Sequence, residues 1–250
     1  MYNYNYVKLM IILGSFTYFL LGEDALVKVT QFDDAPEFLA HQLPADLVGK
    51  PIVHLRTLAL QKDQFSCGYH ALFNAVALDQ TVQGGYYDFE KKLRAKLADR
   101  NLFFEVCSAI KEQVKQNKPL NGKEIADAAN KFSLESRLIS LFLTDKQEIM
   151  IPCLAVEIVH NRGISKSEID ELLVQKQRAT VRERIAQLMN AVKSKPYQTA
   201  HFVCNIGNHW ITYSVISNSF AQPKLYIIGA WNEPMNAVMK KYAIELLSYL

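Results

Sequence analysis

Residues 61–78 read QKDQFSCGYHALFNAVAL, and this stretch decides how the rest of the chain is interpreted. Apolar residues recur at helical spacing after the cysteine, at Ala71, Leu72, Ala75 and Val76. They predict a buried helix over about 67–78, which ends at the following segment TVQGGYY. Cys67 then lies in the first helical turn, where unpaired N–H groups and the helix dipole stabilise a thiolate. We therefore expect Cys67 to be a reactive thiol.

The length and composition indicate a single globular domain over residues 26–250. The chain has 250 residues, of which half are hydrophobic and 21% are charged, and this balance suits a folded protein with a sizeable core. The formal net charge is only +3, and Lys and Arg form no dense block. The composition therefore gives no reason to expect a nucleic-acid partner.

Residues 1–25 are interpreted as a separate targeting segment. Lys8 precedes the apolar run LMIILGSFTYFLLG at 9–22, which is short for a membrane span but suits the core of a signal peptide. Gly22 and Ala25 offer small residues for cleavage. We predict a signal peptide and a secreted or exported protein that, once cleaved, has no stable membrane insertion. A membrane anchor at 9–22 and a buried strand or helix are the alternatives.

The four cysteines do not indicate a metal site. Their spacings are wide and irregular, and no CxxC pair is present. Each cysteine other than Cys67 lies inside an apolar run: Cys107, Cys153 and Cys204. These three are expected to be buried free thiols that pack as small hydrophobic side chains.

The middle of the chain is mainly helical in pattern. Apolar spacing predicts helices over 87–98 and 101–115, and Asn121 with Glu124 predicts a capping box that opens another helix. Residues 136–143 and 148–159 are expected to be strands, although the first could also finish a helix. The charged segment 163–193 is interpreted as two helices. They form a helical insertion around 163–195, either on the surface or across the core.

The carboxy-terminal part has the pattern of an antiparallel meander. Residues 200–206, 209–216 and 224–228 are short apolar runs separated by turn residues. An earlier run, 52–60, also alternates like a strand and leads directly to Gln61. Helices followed by strands indicate the α+β class. We expect an N-terminal helical part, including the helix of Cys67, to pack on a C-terminal antiparallel sheet.

A catalytic thiolate needs an imidazole that holds it as an ion pair and later protonates the leaving amine. Six histidines are available. His209 follows a Gly-Asn turn at the head of a strand and lies beside Trp210, whose indole could shield it. His201 and His70 have less favourable positions, and the remaining histidines lie in segments with no other sign of a site. His209 is therefore the candidate partner of the thiol.

Two further roles are assigned to amide side chains. Asn232, just after the strand that follows His209, can accept a hydrogen bond from the imidazole and orient it, and Glu233 is the alternative. Gln61 can donate a side-chain N–H to an oxyanion, and Gln64 is its rival. The sequence leaves both choices open.

The order of these features along the chain resembles that of the papain-like cysteine peptidases. The features are Gln61, Ser-Cys-Gly at Cys67, a long helical interval, His209-Trp210 and a following polar residue. Among these it is most similar to ubiquitin- and ubiquitin-like-specific proteases, such as the Josephin and related deubiquitinase families. The resemblance covers residues 61–78 and about 200–234. It implies Cys67 as nucleophile, His209 as general base and acid, Asn232 as orienting residue and Gln61 as oxyanion donor. Gly229 stands where similar sequences carry Asp.

The resemblance implies a cysteine-type peptidase that acts on the C-terminal tails of ubiquitin or a ubiquitin-like protein, with no cofactor and no metal. Such tails end in small residues, which a narrow tunnel lined by aromatics such as Trp210 would suit. Two alternatives stay open. An acyltransferase would use the same catalytic residues with another acceptor. A catalytically weak or inactive ubiquitin-binding or structural module would keep the fold, and Gly229 favours that interpretation.

Overall fold

The structure is a computed structural model of the chain. It describes residues 16–20, 26–30, 39–40, 43–56, 61, 63, 65–85, 87–111, 119–134, 136–143, 150–152, 175–206, 209–218, 221–231 and 234–250. In these residues helices pack on both faces of one large sheet. The fold is therefore of the α+β class, as predicted.

The main sheet has seven strands in the described residues, in the order β3-β4-β9-β8-β7-β5-β6. The nine strands of the described chain are β1 (Phe16–Leu20), β2 (Leu26–Thr30), β3 (Leu39–Ala40), β4 (Ile52–Arg56), β5 (Leu138–Leu143), β6 (Met150–Pro152), β7 (Thr199–Asn205), β8 (Trp210–Asn218) and β9 (Ala221–Ile228). Strands β7, β8 and β9 form the predicted antiparallel meander, with Phe202 opposite Tyr213 and Tyr213 opposite Ile227.

The sheet is mixed, which differs from the antiparallel sheet expected. Strand β4 pairs in parallel with β9, and β5 pairs in parallel with β7. Parallel pairing joins strands that are distant in the sequence, so no local turn pattern predicts it. The meander is therefore the centre of the sheet and not the whole of it.

Six helices surround the sheet in the described residues. They are α1 (Cys67–Gln83), α2 (Phe89–Leu97), α3 (Arg100–Lys111), α4 (Gly122–Asn130), α5 (Gln175–Ser194) and α6 (Ala237–Leu247). Helices α1 to α4 contribute to a core on one face of the sheet, and α5 and α6 contribute to a second core on the other face. Each face of the sheet is thus covered, as the apolar residues on both sides of β7 to β9 require.

The central helix extends five residues beyond the predicted end, to Gln83. Thr81 and Val82 are buried, and Thr81 Oγ1 donates to the carbonyl of Ala77 at 2.7 Å. A threonine can continue a helix when its hydroxyl donates a hydrogen bond to the carbonyl four residues earlier in the same helix. Gly84 then ends the helix.

Other predicted elements are confirmed, in part with different bounds. Helix α4 begins with the expected capping box, in which Glu124 N–H donates to Asn121 Oδ1 at 2.8 Å and Asn121 N–H donates to Glu124 Oε2 at 3.0 Å. Helix α5 corresponds to the second of the two helices predicted in 163–193, and it packs across the core through Val181, Ile185 and Leu188. Most of the first lies outside the described residues. Helix α6 was not predicted.

The amino-terminal region contributes a two-stranded antiparallel sheet, β1 with β2. Strand β1 lies inside the stretch interpreted as a signal peptide, whose residues 1–15 and 21–25 lie outside the described residues. Among the helices that the structure describes, none has the length and apolar composition to cross a membrane. Export of the protein stays a prediction.

Candidate active site

Helix α1 places Cys67 at its first residue, inside the core and only 2% exposed. The turn before it is closed by Asp63, whose Oδ1 accepts from the backbone N–H groups of Phe65 at 2.9 Å and of Ser66 at 2.6 Å. These bonds fix the chain as it enters the helix, which is what an Asp at a turn commonly does. The thiol therefore begins a rigid, buried helix.

Strand β8 places His209 directly before its first residue. The preceding turn is closed by the N–H of Ile206, which donates to the carbonyl of His209 at 2.8 Å. The imidazole is 6% exposed and stacks on the indole of Trp231, with ring centroids 4.0 Å apart and planes 13° apart. Both the backbone and the ring plane of His209 are thus held.

Two hydrogen bonds hold the start of β8, one to α1 and one to the segment before α4. Thr212 Oγ1 donates to the carbonyl of Ala71 at 2.7 Å, one turn after Cys67. Trp210 Nε1 donates to the carbonyl of Leu120 at 3.0 Å. The side chain of Leu120 in turn lies so close to Gly68 that a Cβ there would meet it at 3.0 Å. The segments that carry the thiol and the imidazole therefore meet.

Gln61 reaches the same region through its backbone. Its N–H donates to the carbonyl of Ala230 at 3.1 Å, and Ala230 immediately precedes Trp231. The side chain is 5% exposed, and Nε2 donates to the carbonyl of Asp63 at 2.7 Å. The amide has two N–H groups, so one of them remains after this bond. Among the described residues Oε1 has no hydrogen-bond partner.

The structure therefore brings together the segments of Cys67, His209 and Gln61, whose chemical roles stay predictions. Asn232, Glu233 and Gln64 lie outside the described residues, so the choice of orienting residue stays open.

The two tryptophans near the imidazole have different surroundings. Trp210, which was expected to shield His209, is 4% exposed, and its indole N–H donates to the Leu120 carbonyl. The indole on the imidazole is that of Trp231, which is 41% exposed. The sequence signal for it was an aromatic residue directly before Asn232.

A second imidazole lies close to the site. His70, three residues after Cys67, is buried and stacks on Phe103 with ring centroids 4.8 Å apart. Burial lowers the pKa of His70 to about 4; the nearby Asp63 carboxylate opposes this shift, and His209 adds to it. His70 is consequently neutral near neutral pH. It adds no competing charge to the site there.

Farther along α1, a buried polar network joins the helix to the sheet. Asp79 Oδ1 accepts from Thr199 Oγ1 at 2.7 Å and lies 3.4 Å from His201 Nε2, and Asp79 Oδ2 lies 3.0 Å from an Arg137 amino group. His201 Nδ1 is 2.8 Å from Ser214 Oγ. His201 and Ser214 have no exposed surface, so this Ser-His-Asp chain is structural.

The other described cysteines fit the prediction of buried residues. Cys107 and Cys204 have no exposed surface. Burial raises the pKa of the Cys107 thiol to about 12, against the weaker opposing charge of Lys111. Cys107 is therefore a thiol with little reactivity. Cys153 lies outside the described residues, and no group of three or more potential metal ligands occurs in the part of the chain that is described.

Comparison with known proteins returns no family model, no curated protein and no solved structure that matches this chain significantly.

Proposed function

We propose that this protein is a cysteine peptidase with a papain-like arrangement of its α+β fold. Cys67 is the nucleophile and His209 the general base and acid. The observation that carries the proposal is the packing of β8 on α1, in which Thr212, three residues after His209, donates to the carbonyl of Ala71, four residues after Cys67. A thiol at a helix start with an imidazole as its partner is the arrangement that thiol catalysis requires.

The proposed reaction begins with attack of the Cys67 thiolate on a peptide carbonyl. The electron pair of the carbonyl moves to its oxygen, which the backbone N–H of Cys67 and the remaining side-chain N–H of Gln61 stabilise. His209 then gives its proton to the leaving amine as the C–N bond breaks and a thioester remains. Water, deprotonated by His209, hydrolyses the thioester and releases the acid. Asn232 is the proposed orienting residue.

The proposed substrate is the C-terminal tail of ubiquitin or a ubiquitin-like protein. The low exposure of Cys67 and of His209 supports a slender, extended substrate over a bulky one, because little surface around the reacting atoms is open. Small residues at the end of such a tail would approach the thiol with the least steric conflict. The choice of ubiquitin-like tails as the substrate class rests on the sequence resemblance.

The first prediction concerns covalent labelling by a ubiquitin whose C-terminus carries an electrophile. The parent chain should form an adduct seen as a mass increase on gels and by mass spectrometry. Cys67→Ala and His209→Ala should lose it, because one removes the nucleophile and the other its base. Cys107→Ala is the matched control, since that cysteine is buried with its pKa raised to about 12 and should not affect labelling. Adduct formation in Cys67→Ala would overturn the assignment.

A catalytically weak or inactive ubiquitin-binding module is the second candidate. The observation that favours it is the bond from Gln61 Nε2 to the Asp63 carbonyl, which engages the amide expected at the oxyanion. Such a module would bind ubiquitin in a calorimetric titration but would show no turnover of a fluorogenic ubiquitin-tail substrate. Turnover that is lost in Cys67→Ala selects the peptidase.

A further inference from the structure

The indole of Trp231 stacks on the proposed catalytic imidazole. Its centroid lies 4.0 Å from that of His209, and the two planes are only 13° from parallel. One face of the indole covers the imidazole, while the side chain as a whole is 41% exposed. The contact therefore lies at the boundary between the buried site and solvent.

A parallel stack restricts the imidazole in a way that a hydrogen bond at the ring edge does not. Tilting the ring out of its plane would open a gap against the indole and lose dispersion contact. The face of an indole also attracts a cation, and this attraction favours the protonated imidazole. The ring that must pair with a thiolate as a cation is thus held in one plane and stabilised in its charged form.

The position of the indole is itself tied to the nucleophile segment. Gln61, six residues before Cys67, donates its backbone N–H to the carbonyl of Ala230 at 3.1 Å. Ala230 is 2% exposed and precedes Trp231 directly. The loop that carries the indole is therefore anchored to the chain that leads to the thiol.

We propose that Trp231 is a positioning residue of the site, which fixes the plane of the His209 imidazole and favours the thiolate–imidazolium pair with Cys67. This inference rests on the proposed function, because it takes His209 as the partner of Cys67. It gives the indole of Trp231 a part in orienting His209, a role for which the sequence analysis named Asn232 and Glu233.

The test follows the rate at which iodoacetamide alkylates Cys67, measured on the Cys67 peptide by mass spectrometry from about pH 5 to about pH 10. A thiolate–imidazolium pair reacts well below the range in which a free thiol ionises, which is near pH 8.5. Of the described titratable groups near His209, His70 on α1 has a pKa lowered to about 4 by burial, and Asp63 lies before α1 and acts on His70. His70 is therefore not expected to change charge over this pH range.

Trp231→Leu keeps an apolar side chain but removes the aromatic face, whereas Trp231→Phe keeps a ring that can stack. We expect Trp231→Leu to slow alkylation about tenfold at pH 6, as loss of a partly desolvated cation–π contact predicts. Its rate at pH 10 should equal that of the parent, because every accessible thiol is then ionised. Trp231→Phe should recover most of the low-pH rate. Tyr87→Leu, which alters an aromatic that is 82% exposed beyond the far end of α1, should match the parent throughout.

The outcomes separate this inference from the proposed function. A parent that reacts at pH 6, loses that reactivity in His209→Ala and keeps it in Trp231→Leu overturns the role of Trp231 alone. A parent with no reactivity at pH 6, or with reactivity that His209→Ala leaves unchanged, overturns the pairing and with it the proposed function. Equal slowing of Trp231→Leu at pH 6 and at pH 10 shows altered access to the thiol and likewise overturns the positioning role.

Discussion

The carboxylate of Asp79 connects three parts of the structure. It belongs to α1, accepts from Thr199 on β7 and pairs with Arg137, which lies just before β5. Burial by itself raises the pKa of Asp79, but the neighbouring His201, the Thr199 hydroxyl and the Arg137 charge outweigh it, so the pKa lies below its usual range. The ionised form therefore stabilises the folded state.

Replacing Asp79 with Asn should lower the free energy of unfolding by about 3 kcal/mol near neutral pH, because a mostly buried ion pair loses one partner. The depressed pKa means that the stabilisation is present above the unfolded-state value, near 3.9, and is lost as pH falls through the lower folded-state value. The difference between parent and variant should thus shrink below about pH 4. Urea titrations at several pH values measure it.

Asp127→Asn is the matched control at the residue scale. Asp127 lies 3.2 Å from Lys123 on α4, and both side chains are more than 40% exposed. An exposed pair of this kind contributes less than about 1 kcal/mol. A loss in Asp79→Asn no larger than that in Asp127→Asn would show that the buried network contributes little.

At the scale of elements, the contact between α1 and the segment before α4 depends on one glycine. A Cβ at Gly68 would meet Leu120 atoms at 3.0, 3.1 and 3.3 Å. Leu120 is 4% exposed, and its carbonyl accepts from Trp210 beside the candidate imidazole. Leu120 has little freedom to move aside, so α1 can approach only because position 68 lacks a side chain.

Gly68→Ala should destabilise the fold by about 1 kcal/mol despite the better helix propensity of Ala, because overpacking costs more than that propensity gains. The strain should also shift Trp210 and reduce the low-pH alkylation rate of Cys67. Thermal unfolding and the alkylation assay measure these two effects. Gly84→Ala is the control, since a Cβ at the other end of α1 would make only ordinary contacts, at 3.4 and 3.5 Å. Equal stability of Gly68→Ala and the parent would contradict this account.

At the scale of the whole molecule, the sheet separates two hydrophobic cores, and only one of them contains the candidate nucleophile. The core on the face of α1 contains Cys67, Trp210 and the ring of Phe103. The core on the opposite face is formed by α5, α6 and the other side of β7 to β9, and its described residues do not include Cys67 or Trp210. Damage to the second core should therefore lower stability without changing the chemistry.

Met189→Ala tests this separation. Met189 on α5 has no exposed surface, and its truncation should cost about 3 kcal/mol, as for other buried large-to-small changes. Below the unfolding temperature, alkylation of Cys67 at pH 6 should equal that of the parent. Gln187→Ala, an exposed change on the same helix, should alter the free energy of unfolding by less than about 0.5 kcal/mol. A marked fall in alkylation in folded Met189→Ala would show that the cores are coupled.

The parts of this architecture that follow from local pattern could be predicted from the sequence. The meander β7 to β9, the start of α1 at Cys67 and the capping box at Asn121 all arise from neighbouring residues. Helix α6 was missed although a signal existed, since the side chain of Asn236 caps it and Met239, Tyr242, Ala243 and Leu246 recur at helical spacing. Weak amphipathic patterns after a strand are easily left unassigned.

The remaining features could not be predicted because they join residues far apart in the sequence. The parallel pairing of β4 with β9 and the Asp79–Thr199 bond each link distant segments, and neither has a periodic signature. The stack of Trp231 on His209 depends on how the loop after β9 returns over the turn before β8. For the candidate site, the sequence indicated Cys67, His209, Asn232 and Gln61, but it did not indicate the indole of Trp231.

The parallel pairing of β4 with β9 also has a consequence for the order of folding. Val53 lies opposite Tyr226. Strand β4 can therefore pair with β9 only after residues up to about 228 have been synthesised. Pairings between such distant segments close large loops and form slowly. Gln61 meets Ala230 through the same late event. The proposed pair of Cys67 and His209 would therefore form only in the final stage of folding, and partly synthesised chains would lack the proposed site.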